Sequence, residues 1–111
     1  MSRPPAHGRR PDTNQKLITD ELRQMGYAVV DYSQVGNGIP DKLVKKYGGV
    51  WMEIKTEKEY NSENHGLTDA EYKFFSTAPG AKIIACSAEM ARTKIETIGM
   101  YGDEYDDSIR E

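Results

Sequence analysis

At 111 residues the chain is one small domain with room for a single modest core. No run nears the roughly 18 apolar residues of a membrane span, and no apolar segment follows Met1, so neither insertion nor secretion is expected. A single cysteine, Cys86, excludes an intrachain disulfide framework and fits a reducing, cytoplasmic setting. The net charge of -3, from 15 basic and 18 acidic residues, argues at first against a nucleic-acid partner. Its distribution argues otherwise. Asp103, Glu104, Asp106, Asp107 and Glu111 stand against Arg110 alone near the C-terminus, a net of -4 that leaves the remainder at 14 basic and 13 acidic, +1. The first eleven residues carry Arg3, Arg9 and Arg10 and no acid. The chain therefore reads as a basic arm (1–11), a near-neutral domain (12–98) and an acidic tail (99–111), with both ends too poor in apolar periodicity to be well ordered.

Asp12-Thr13 open a helix in which Leu17, Ile18, Leu22 and Met25 recur at helical spacing and Gly26 stops the pattern. Tyr27 to Tyr32 is a short β-rich run, followed by a polar, glycine-containing loop through Gly38. Strand-like runs from Pro40 to Tyr47 and from Val50 to Lys55 flank Gly48-Gly49, a hairpin signal. Thr56 to Gly66 is too polar to bury much and reads as a loop. Thr68-Asp-Ala-Glu71 opens a second helix as a capping box, and Pro79-Gly80 ends it. Lys82 to Cys86 reads as a buried strand, after which Ser87 caps a third helix to about Ile98. The order α-β-β-β-α-β-α implies an α/β fold: a mixed sheet flanked by helices.

The chemistry concentrates in Pro40-Asp41 and, one hairpin later, Glu53-Ile54-Lys55. On a strand, Glu53 and Lys55 project together while Val50, Met52 and Ile54 project the other way. Two carboxylates and an ammonium beside an apolar face suit metal-assisted phosphodiester chemistry, with the carboxylates holding a hard cation and the lysine orienting a water and offsetting charge. Asp41 joins Glu53 only if the hairpin has the right parity. A strict two-residue turn sets Asp41 on the wrong face. A three-residue loop, Tyr47-Gly48-Gly49, pairs Lys46 with Val50 and Leu43 with Glu53, placing Asp41 across from Lys55 and diagonal to Glu53. The expectation is that loop, or a bulge of equal parity.

Gly36-Asn-Gly-Ile-Pro-Asp41, Glu53-Ile-Lys55 and Leu67-Thr-Asp-Ala-Glu71-Tyr-Lys-Phe74 together resemble the PD-(D/E)XK nuclease superfamily, and within it the VRR-NUC proteins and archaeal-type Holliday-junction resolvases, over roughly residues 12 to 98. The resemblance implies a restriction-endonuclease-like core and Mg²⁺- or Mn²⁺-dependent cleavage of DNA, structure-selective on branched substrates such as Holliday junctions. It implies Asp41, Glu53 and the Ile54 carbonyl as metal ligands, Lys55 as the residue that positions and activates the attacking water, and a homodimer. A nuclease this short suits a phage or bacterium. The place of the family's first-helix acid falls on Gln15, an amide, and Glu71 stands where many relatives have glutamine. Other readings are an exonuclease or nicking enzyme on the same fold, or a catalytically silent DNA-binding module.

Several residues have two readings. Gln15 and Glu71 each stand three places after a capping candidate, Asp12 and Thr68, so capping alone explains them. Ser33, Asn37 and Gly36 to Gly38 either approach the DNA backbone or simply form a turn. Lys42, Lys45, Lys46 and Lys73 either contact phosphates or protect a sheet edge. His65 reads as a surface residue, and Trp51 and Cys86 as packing residues.

Overall fold

The computed structural model describes residues 11–102. The arm and tail, apart from the positions within that range, lie outside the described residues. The elements are α1 (Pro11–Gln24), β1 (Val29–Asp31), β2 (Lys42–Val44), β3 (Val50–Ile54), α2 (Glu57–Tyr60), a 3₁₀ turn (Glu63–Gly66), α3 (Asp69–Thr77), β4 (Ala81–Ala85) and α4 (Ala88–Tyr101). They form an α/β domain with one four-stranded mixed sheet in the order β1-β2-β3-β4. The β1–β2 and β2–β3 pairs are antiparallel and β3–β4 is parallel. Among the described residues no helix is long and apolar enough to cross a membrane.

Alternation along the strands divides the side chains between two faces. Val29, Val44, Val50, Met52, Ile54, Ala81, Ile83 and Ala85 form the main core with Ile18 and Leu22 of α1 and Ala88, Ala91, Ile95 and Ile98 of α4. Of the expected α1 stripe, Ile18 and Leu22 are buried, but Met25 is exposed at the helix end. The other face carries Trp51, Glu53 and Ile84, with α3 above it. Phe75 is buried there, and Phe74 meets the Trp51 ring edge-on at 5.7 Å.

Three departures from the sequence expectations have physical causes. First, Thr56 to Gly66 is structured rather than a loop. Thr56 and Glu59 form a capping box that starts α2, the Thr56 N–H donating to Glu59 Oε1 at 2.8 Å and the Glu59 N–H to Thr56 Oγ1 at 3.1 Å. Second, His65 is half-buried. Its ring stacks on Tyr60 at 4.4 Å, and its Nδ1 lies 2.7 Å from the Tyr60 carbonyl. Third, β2 is shorter than expected, and its register with β3 is displaced by two residues. Val44 pairs with Val50 across a five-residue connection, Lys45 to Gly49, rather than Lys46 with Val50. Tyr47, Gly48 and Gly49 all take positive φ (54°, 85° and 104°), so the chain needs this wider path to reverse. The Tyr47 hydroxyl donates to Glu96 of α4, where the Tyr27 hydroxyl and the Lys46 ammonium also bind, tying the loop to the helix.

Candidate active site

A displacement of two keeps the parity that the acid pair requires. Continuing the observed β2–β3 pairing by one place sets Asp41 directly beside Glu53, closer than the diagonal arrangement expected from the shorter loop. Asp41 follows the buried Pro40 and is fixed by its own side chain, whose Oδ2 accepts the Ile54 N–H at 3.1 Å. Lys55 lies just past β3, its N–H held by the Ala85 carbonyl at 3.0 Å. The Lys55 ammonium turns to the same face, 3.6 Å from Glu53 Oε2 and 3.0 Å from Glu71 Oε1. Glu71 is also the N3 residue of the α3 capping box, accepting the Thr68 N–H at 2.9 Å on that same oxygen. One Glu71 oxygen therefore both caps the helix and holds the lysine.

The cluster is short of positive charge and nearly dry. Glu53 is 3% exposed and Lys55 8%. Burial, with the Asp41 and Glu71 carboxylates nearby, pushes the Glu53 carboxyl up to about 9 and so favours its protonated form in the metal-free protein. Asp41 is raised by burial and by the Glu71 charge, partly offset by the Ile54 N–H, the adjoining Glu53 carboxyl and the Lys42 charge. Glu71 goes the other way: burial opposes ionisation, but the Thr68 N–H and the Lys55 ammonium outweigh it. Burial alone would lower Lys55, yet its bond to Glu71 and the charges of Glu71, Glu53 and Glu59 hold it above the usual lysine range. Lys55 is thus a fixed cation here, suited to orienting a water or stabilising an anion and poorly suited to removing a proton.

Glu53 Oε1 is buried and has no hydrogen-bond partner among the described residues. An unsatisfied carboxyl oxygen in a buried, acid-rich pocket, directly beside Asp41, is a fit for a hard divalent cation, which would take the place of the proton. Among the described residues no three His, Cys, Asp or Glu side chains gather closely enough to form a metal cage by themselves. The donor set available is the two carboxylates of Asp41 and Glu53 with backbone oxygen, the third acid being occupied by Lys55.

The remaining candidates are distributed differently. Gln15 is half-buried and lines a groove with Thr19, Asp31, Ser33 and Lys42 on the α1 side of the sheet. Asp12 falls within the α1 range. The contact from α1 to the motif strand comes from Asn14, 7% exposed, whose Nδ2 donates to the Lys55 carbonyl at 3.0 Å. Sequence reasoning missed Asn14, although a signal was present: residues 14, 18 and 22 fall on one helix stripe, and Gln15 is one place off it. Lys42 is buried, with its ammonium 2.9 Å from Asp31 Oδ1, and the Ser33 N–H donates to that same oxygen. That charge is already engaged. Asn37 is exposed in a left-handed conformation, and Lys73 is exposed on α3. The neighbouring Gly38 has a packing role. A Cβ there would lie 2.4 Å from the Ala70 carbonyl oxygen, so the loop before Asp41 seats its backbone directly on the first turn of α3.

No protein-family model, curated protein or solved structure matches this chain.

Proposed function

We propose that the chain is a metal-dependent deoxyribonuclease of the PD-(D/E)XK type, with a restriction-endonuclease-like core. The observation that carries this reading is the juxtaposition of Asp41, Glu53 and Lys55 on one sheet face, with a buried Glu53 oxygen left unsatisfied. Asp41 and Glu53, with the Ile54 carbonyl, would hold Mg²⁺ or Mn²⁺. Such a cation supplies Lewis acidity to the phosphodiester and a nucleophile at neutral pH. Lys55, held protonated by Glu71, orients the attacking water and offsets the charge that develops on the phosphate. A cation bound there would displace the Glu53 proton and make the local potential favourable for a phosphate.

The proposed substrate is DNA, with branched forms such as four-way junctions foremost. Action on both strands of a junction would require two copies of the chain. The test is incubation of the protein with labelled duplex, single-stranded, flap and four-way-junction DNA in Mg²⁺, Mn²⁺ or EDTA, alongside Asp41→Ala and Lys55→Ala. Cleavage that needs the cation and is lost in both variants supports the reading. No cleavage by the parent protein, or cleavage that survives both substitutions, overturns it.

A further inference from the structure

Beside the acid pair lies a second feature that its chemistry does not use. The Tyr32 N–H donates to the Asp41 carbonyl at 2.7 Å, which extends the β1–β2 pairing by one place. Tyr32, Asp41 and Glu53 therefore stand in one cross-strand row on one face. The next row on that face is Val30, Leu43 and Trp51. The Tyr32 ring reaches across β2 to meet Trp51 edge-on at 5.2 Å. Trp51 is also held by Phe74 of α3, edge-on at 5.7 Å. Val30 is 36% exposed, and Tyr32, Leu43 and Trp51 are only half-buried. The result is a partly open aromatic shelf that continues directly into the carboxylate pair.

We propose that this shelf takes an unpaired nucleobase of the DNA strand, next to the phosphate held at Asp41 and Glu53. The proposal rests on the nuclease reading for the identity of that phosphate. Continuity argues for the occupant: a strand whose phosphate lies at the acids carries its next nucleoside on to an adjoining position, and on the β1 side the residue beside Asp41 is Tyr32. An aromatic ring held at a fixed angle by its neighbour is pre-organised for stacking, which tolerates any base because every base has a π-face. A paired base stays stacked in its duplex and cannot reach the shelf. The site therefore selects single-stranded or junction-flanking nucleotides by structure rather than by sequence.

The test uses the full chain with short single strands that carry one abasic residue at successive positions, in Ca²⁺. Trp51 is the only tryptophan, so its emission reports on the shelf directly. The parent protein should lose about tenfold in affinity at one abasic position only, and the quenching of Trp51 should disappear with it. Tyr32→Leu should lose a similar factor on the intact strand and nothing further on that abasic strand, while Tyr32→Phe binds like the parent. Indifference of the parent protein to abasic residues at every position overturns the proposal, as do Tyr32→Leu and abasic losses that multiply. A concentration-dependent dimer that Tyr32→Leu dissolves overturns it in favour of a second copy on the shelf. Base-dependent binding without cleavage leaves the shelf standing and removes the nuclease reading. Cleavage without base dependence does the reverse.

Discussion

The ammonium of Lys55 and the carboxylate of Glu71 meet at 3.0 Å, although one closes strand β3 and the other opens helix α3. The same Glu71 oxygen takes the Thr68 N–H, so the helix start and the orientation of the lysine are coupled through one atom. Replacing Glu71 by glutamine keeps an acceptor for the cap but removes the charge that holds Lys55. Glu71→Gln should stay within about 1 kcal/mol of the parent in urea unfolding, whereas Glu71→Ala, which loses both partners, should cost about 1–2 kcal/mol. In the cleavage assay Glu71→Gln should lower the rate about tenfold, because the lysine is no longer fixed in place. Equal stability losses for the two variants would contradict this division of roles.

Glu53 makes the metal-free protein pH-sensitive. Its folded value, near 9, lies above the unfolded carboxylate value of 4.5, so the folded state binds the extra proton between those limits. The associated stability is fully present below about pH 4.5 and is lost as the pH rises through about 9. Thermal melts in EDTA should therefore fall from pH 6 to pH 9, and Glu53→Gln should flatten that slope and melt higher at the alkaline end. Adding Mg²⁺ or Mn²⁺ at pH 8 should raise the melting temperature of the parent protein but not of Glu53→Gln, with proton uptake on chelation. A parent protein whose EDTA melts rise over that range would refute the assignment.

Gly38 sets the distance between the loop that delivers Asp41 and the helix that delivers Glu71. It has φ +82°, and a Cβ would meet the Ala70 carbonyl oxygen at 2.4 Å, a backbone atom that cannot swing aside. Gly38→Ala should cost about 2–4 kcal/mol through left-handed strain and overpacking. Since relief comes only by parting the loop from α3, cation affinity measured by calorimetry should fall as well. Gly36→Ala, at φ +73° with open space around it, should cost less and leave cation affinity unchanged.

What could be read from the chain was what is decided over a few residues. The Thr68–Glu71 box and the Ser87 cap are three-residue devices, and both formed as their spacing implied. The same device at Thr56–Glu59 was equally legible and was overlooked because the segment around it is polar. Period-two alternation placed Glu53 and Lys55 on one face, since a side chain's face follows from strand geometry alone. The hairpin was half legible. Parity could be argued from chemistry, but the longer connection comes with a contact from Tyr47 to Glu96, 49 positions away, that no local pattern shows.

By itself, then, the sequence determined the order of the strands and the longer helices, the caps at Thr68 and Ser87 and the face each strand residue presents, because each is an interaction between near neighbours in the chain. Tertiary structure decided the rest. It set the register that brings Asp41 beside Glu53 and chose Asn14 over Gln15 as the side chain that reaches the motif strand. It also seated Gly38 on α3. The protonation of Glu53 belongs to this second group. A carboxyl is pushed upward in this way when residues remote in sequence exclude water from it and set two further carboxylates against it.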